Sequence, residues 1–290
     1  MRMRHFMVAG SMAIWILNGV LSGALAEDVV TTQTKVFRGQ VLSVDTKGIR
    51  IALASGGETI IPRSLVVGTP QVTPPPSVIR GIEAYEKGNL KAAQLNLSKV
   101  AGQYQGLDVE WAMKGILYYG RACLAAGDAA TAGKMFSAFL DAYEDDPMAV
   151  AAQIGQASIE VSKKNYEQAL TKLRELADQY DKQLKVPKGQ LPYAAEIYMD
   201  IAKCLEAQAK DSEALDAYLK VTALYPVETY CPEALYQAAR LYRKLDQPEK
   251  ARALYSELID GYADNELAKQ AVQERASLPQ AAPGSTPGSP

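Results

Sequence analysis

Five alanines set the register of this chain. Ala93, Ala132, Ala169, Ala214 and Ala251 each stand in the middle of the same pattern. Twelve residues before each comes a small residue: Gly81, Gly120, Ala157, Ala202 or Ala239. Four after it comes a bulky apolar one, Leu97, Phe136, Leu173, Tyr218 or Tyr255, and seven after it another, Val100, Phe139, Leu176, Val221 or Leu258. Eleven after it stands a tyrosine every time: Tyr104, Tyr143, Tyr180, Tyr225, Tyr262. A recurrence of this length is the mark of a repeat architecture.

The best-formed copy, within 232–273, shows what the repeated unit is. Ala234, Leu235, Ala238, Ala239 and Leu241 recur at the three- and four-residue steps of an amphipathic helix, as do Ala251, Leu254, Tyr255, Leu258 and Ile259. Asp246-Gln247-Pro248 interrupts them, with Pro248 suited to a first helical turn. Small residues at two fixed sites let a helix pair approach to about 8–10 Å. The bulky pair fills the groove toward the next unit, and a terminal tyrosine buries its ring while its hydroxyl reaches a polar edge. One hairpin cannot bury its apolar faces alone, so the copies are expected to stack. The expected fold class is mainly α: an α-solenoid of about five helical hairpins with a capping helix, preceded by a small N-terminal β module.

The pattern resembles the tetratricopeptide repeat, a helix-turn-helix of about 34 residues. Gly88-Asn89, Gly127-Asp128 and Lys164-Asn165-Tyr166 stand where that family has its Gly-Asp/Asn-Tyr turn. The anchors here are 39, 37, 45 and 37 residues apart, longer than the usual period. Segments such as Tyr225-Pro226-Val227-Glu228, followed by an alanine-rich helix, are similar to repeats of bacterial cell-envelope and periplasmic proteins. The resemblance covers 77–278.

Residues 1–26 read as a secretory signal peptide. Arg2 and Arg4 precede an uncharged, mostly apolar run, and Ala24-Leu25-Ala26 fits the small-x-small cleavage rule. An uncleaved anchor is the other reading, since the run approaches the ~20 residues of a span. From 27 to 67 the period changes to two. Val36, Val41, Val44, Ile49, Ile51, Ile60 and Ile61 suggest three or four short strands, with hairpin turns at Asp45-Thr46-Lys47-Gly48 and Ser55-Gly56-Gly57-Glu58. This module is read as a cap or spacer, or else as a partner-binding element. Residues 68–76 are a proline-rich linker with the polyproline spacer Pro74-Pro75-Pro76. Residues 181–192, with Lys182, Lys185 and Lys188, form a basic insertion that accounts for the longest spacing. The tail, 279–290, is uncharged and rich in Pro, Gly and Ser, the composition of a disordered segment.

Little in the sequence points to catalysis. The only histidine is His5, inside the leader, which removes the commonest general base and zinc ligand from the rest of the chain. No phosphate-binding glycine loop or nucleophile elbow stands out, and Glu144-Asp145-Asp146 reads as a helix start rather than a calcium site. No metal or cofactor is expected. A formal charge of −2 carries no nucleic-acid footprint. Cys204 and Cys231 lie ten and twenty residues before their anchors, displaced by about 15 Å along parallel helices. That is too far for a disulfide, so they and Cys123 are read as small buried side chains.

The resemblance implies a concave groove lined by residues fifteen, eleven and eight before each anchor. These are Val78, Ile82, Tyr85; Leu117, Arg121, Leu124; Ile154, Ser158, Val161; Met199, Lys203, Glu206; and Tyr236, Arg240, Arg243. Leu117, Arg121, Met199, Lys203, Tyr236, Arg240 and Arg243 are the expected partner contacts. Arg240 has no carboxylate three or four positions away, and Arg243 has only Asp246. The alternative is a solvated face with balanced charges. The functional expectation is a non-enzymatic scaffold of the bacterial cell envelope, exported or periplasmic, that binds another protein or a peptide in the groove. Two other readings stay open: a structural or oligomerising component of an envelope complex, and a carboxylate-based enzyme or sugar-binding protein.

Overall fold

The computed structural model describes residues 27–279. The expected signal peptide lies outside them, as does the expected tail apart from Pro279. The chain divides into two units, 1–73 and 74–290.

The first unit contains an antiparallel meander in the order β1 (Asp28–Thr31), β2 (Val36–Asp45), β3 (Gly48–Leu53), β4 (Glu58–Ile61). The Asp45↔Gly48 pair closes a two-residue hairpin. Val30, Val41, Val44, Ile49, Ile51 and Ile61 form its buried side. Part of the stretch expected as a spacer belongs to this unit. The N–H of Val29 donates to Gln71 at 2.8 Å and Gln71 returns the bond at 2.9 Å. Asp28, the buried carboxylate of the sheet, accepts the N–H of Val41 at 2.8 Å and of Thr73 at 2.9 Å. Composition identified a proline-rich stretch but not that these backbone groups would find partners in β1.

Among its described residues, the second unit holds five hairpins and a capping helix. The hairpins are α1 (Pro76–Glu86) with α2 (Leu90–Gln103), α3 (Glu110–Ala125) with α4 (Ala129–Ala142), and α5 (Ala149–Ser162) with α6 (Tyr166–Asp181). Then come α7 (Leu191–Ala207) with α8 (Asp211–Leu224), α9 (Cys231–Lys244) with α10 (Pro248–Gly261), and the cap α11 (Glu266–Ala276). The α-solenoid read from the sequence is the fold found. All five anchor alanines are fully buried, and the bulky residues four and seven positions on are core side chains in every copy. Cys123, Cys204 and Cys231 are buried free thiols.

Each hairpin turns through one backbone device. Five residues before the anchor the chain enters the left-handed region: Gly88 at φ 74°, Gly127 at 88°, Lys164 at 63°, Ala209 at 57°, Asp246 at 56°. The next N–H then bonds a carbonyl five residues back, as Asn89 to Ala84, Asp128 to Cys123 and Lys210 to Leu205, which is the Schellman closure of a helix. Asn89 and Asp128 at once cap the second helix, accepting the N–H of Ala92 at 3.1 Å and of Thr131 at 2.9 Å.

The repeated tyrosine ends the second helix. Tyr104, Tyr143, Tyr225 and Tyr262 are its C-cap residue, whereas Tyr180 lies inside α6, which runs on to Asp181. The Tyr143 hydroxyl accepts from Gly106 N–H at 2.8 Å and donates to the Leu107 carbonyl at 3.0 Å, pinning the loop between two hairpins. A ring in the core and a hydroxyl bonded to the loop backbone explain a tyrosine at this position, where phenylalanine would bury as well.

Candidate functional site

Besides its own partner in each hairpin, α1 packs on α3, α3 on α5, and α5 on α7. These first helices form one face of the stack, and on it side chains converge around a cleft of about 500 Å³. Tyr85 of α1, Tyr118 of α3, Tyr193 of α7 and Tyr230 before α9 line it, with Leu117 and Met148. Two of the rings meet edge to face, Tyr85 and Tyr118, with centroids 5.4 Å apart. Burial raises the phenols of Tyr85, Tyr118, Tyr193 and Tyr230 above their ordinary pKa, so they stay neutral hydrogen-bonding groups near neutral pH.

An ion pair lies among the rings. Arg121 Nη2 stands 2.8 Å from Glu196 Oε2, and the two side chains are only 23% and 20% exposed. Tyr230 shares a hydrogen bond with Glu196. The pair joins α3 to α7, past the intervening α5. It is one rung of a ladder. Ser158 Oγ of α5 donates to Asp200 Oδ2 of α7 at 3.2 Å, and Lys203 of α7 pairs with Glu233 of α9 at 3.0 Å. Arg121, Ser158 and Lys203 all stand eleven residues before their anchors, and each meets an acid on a later first helix. Burial, then the charge of Glu196, pushes Asp200 up to about 6.

The ladder reaches α9 with a rung left open. Arg240, again eleven before its anchor, is exposed and, among the described residues, donates only to Gln237 Oε1 of its own helix, at 2.6 Å. Arg243 beside it pairs with Glu274 of α11, and Lys244 with Asp211 at 2.7 Å. A smaller cleft of about 350 Å³ lies among Glu206, Arg240, Arg243 and Lys244.

The expected groove face is therefore rotated. Residues fifteen before the anchor turn to the core: Met199 is 1% exposed, and Val78, Leu117 and Ile154 are also buried. Leu117 still borders the cleft; Met199 packs between helices and is no surface contact. Tyr236 is half-buried, edge to face with Tyr255 at 6.0 Å. Of the two arginines on α9, Arg243 is not free, because its acid comes from the capping helix and not from its own. Besides Tyr85 at eight and Leu117 at fifteen, the cleft uses residues 21, 18, 14 and 11 before the anchor. Tyr118, Tyr193, Glu196 and Tyr230 were missed for that reason. A signal for two of them was present: 21 before the anchor stand Trp111, Met148, Tyr193 and Tyr230, bulky in all four copies.

A stack of helical hairpins with a side-chain cleft on its first-helix face defines a helical repeat solenoid. More specifically, residues 233–265 match the tetratricopeptide repeat, and the helical unit has the fold of tetratricopeptide-repeat proteins. Such a protein of Thermus thermophilus is 14% identical, with 68% of this chain and 96% of that chain covered at a TM-score of 0.50. One from Parabacteroides merdae is 13% identical, with 69% of this chain and 70% of that chain covered at a TM-score of 0.53. No curated protein matches the sequence. Among the described residues, no helix is long and apolar enough to cross a membrane.

Proposed function

We propose that this chain is a non-enzymatic scaffold that holds a segment of a partner protein on its first-helix face, and that it works in an exported, cell-envelope compartment. One observation carries the groove reading: four tyrosines from four different hairpins converge on one cleft around the Arg121–Glu196 pair. Tyrosines give large contact area at low entropic cost, and their hydroxyls can bond a peptide backbone. A preformed surface spares the partner's binding energy the cost of ordering the scaffold. Arg240, open at the end of the ladder, supplies a charge for a partner carboxylate. The compartment rests on the leader-like residues 1–26.

Crosslinking in the native cell tests both parts. A photoreactive residue in place of Tyr118 should capture a defined protein that the same residue at exposed Lys134 of α4 does not. Tyr193→Ala and Arg240→Glu should each lower that capture severalfold. Equal capture at both positions, or capture indifferent to both substitutions, defeats the groove and favours an assembly component. Recovery of the chain from the cytosol alone defeats the compartment.

A further inference from the structure

The basic insertion between α6 and α7 is absorbed by neither the fold nor the groove. Its base is rigid. Asp181, which ends α6, accepts from the hydroxyls of Tyr198 at 2.7 Å and Tyr225 at 2.9 Å, and from Lys220 at 3.0 Å. The two rings stack at 5.4 Å and 13°, with the Lys220 ammonium 4.6 Å above Tyr198. These bonds hold Asp181 ionised: although burial raises its pKa, the hydrogen bonds and the lysine lower it further, to below the ordinary value. Its charge is thus spent within the hub.

Above that base lies an open cleft of about 590 Å³, between the insertion and the end of α8. Leu184 projects at its edge, 109% exposed, and Leu224 faces it, 57% exposed. Both are among the most exposed large apolar side chains described. Lys185 lines the cleft with them, and Lys182 and Lys188 stand on the same insertion. All three are exposed, and none forms a side-chain ion pair or hydrogen bond among the described residues. Two bare leucines at a hollow, with one unmatched cation on its wall and two more on the same insertion, form a surface complementary to one kind of partner.

We propose that this cleft is a second docking site, separate from the tyrosine groove, for a protein segment that carries one bulky apolar side chain flanked by carboxylates. The apolar side chain enters between Leu184 and Leu224, and the carboxylates meet the lysines. The lysines give the site its sign and steer encounter, while the leucines supply the burial. The concavity favours a peptide over an anionic lipid surface, which would meet a protruding tip and leave the hollow unfilled.

Selection of random displayed dodecapeptides on the full chain tests this, followed by anisotropy titration of the enriched peptides. Enriched peptides should carry Asp or Glu on both sides of a Leu, Ile or Phe. Leu184→Asp, and separately Lys182→Glu with Lys185→Glu and Lys188→Glu, should each weaken binding at least tenfold, with the melting temperature unchanged. Tyr118→Ala should leave binding intact, which separates this site from the groove. The proposal is overturned if the acidic pattern is absent from the peptides, if binding ignores both insertion variants, or if Tyr118→Ala abolishes it. Phosphatidylglycerol vesicles that bind the wild type and not the variants, with no such peptide selected, overturn it in favour of a membrane.

Discussion

Arg121 and Glu196 meet at 2.8 Å although 75 residues separate them, and the contact joins first helices that are not neighbours in the stack. Both side chains are mostly sheltered, so removal of one leaves the other charge poorly solvated. Glu196→Gln should cost about 1–3 kcal/mol in urea unfolding, less than a fully buried pair because some water still reaches it. A double-mutant cycle with Arg121→Met should return most of that loss as coupling. A cycle with no coupling would mean that the pair contributes nothing to holding the cleft.

The left-handed turn position is filled by glycine in two hairpins and by Lys164, Ala209 and Asp246 in the others. Alanine there brings its Cβ against the backbone and offers no compensating side-chain bond. Ala209→Gly should therefore stabilise the chain by about 1 kcal/mol, and Gly127→Ala should destabilise it by a similar amount. Thermal unfolding of the two variants checks the pair of signs together.

Phe136 is fully buried and lies between two glycines. A Cβ on Gly120 would come within 2.7 Å of its ring, and one on Gly155 closer still. Gly155→Ala should cost about 1–3 kcal/mol from overpacking. Phe136→Leu combined with it should recover part of that loss, since the smaller side chain vacates the space. Loss in strict addition would mean that the ring is not the obstacle.

Asp200 should make stability fall as pH rises. Its folded pKa, about 6, lies above the usual carboxylate value, so folding favours its protonated form. That contribution is complete below about pH 4 and is lost as pH rises through 6. Asp200→Asn keeps the neutral shape. Relative to wild type it should gain stability between pH 5 and pH 7.5, by no more than about 3 kcal/mol. The comparison is made against wild type because Asp128, Glu160 and Asp181, whose pKa values are lowered, act in the opposite sense. A flat difference across that range would refute the assignment.

Much of the architecture was legible because stacking is a local affair. Ala93 and its four counterparts, with their bulky partners at fixed offsets, encode contacts within one hairpin and with the next. The five turns were legible less fully. Gly88 and Gly127 announce a left-handed residue, but Ala209 occupies the same conformation with nothing in its type to show it. The site was legible least. Arg121 was named, and so were Tyr85 and Leu117, yet Met199 is core and three of the four cleft tyrosines were overlooked. The family offsets fifteen, eleven and eight describe a helix rotated differently from these, whose units are longer.

The sequence by itself determined the register, the hairpins and the buried stripe, since each follows from side-chain size at spacings of three and four along a helix. Only the tertiary structure decided which side chains share the cleft and which charges remain open. Arg121 finds Glu196, and Arg243 finds Glu274, because of how far each hairpin rotates on the one before it. That rotation is set by the packed volumes at every interface together, a sum over the whole stack that no single repeat contains.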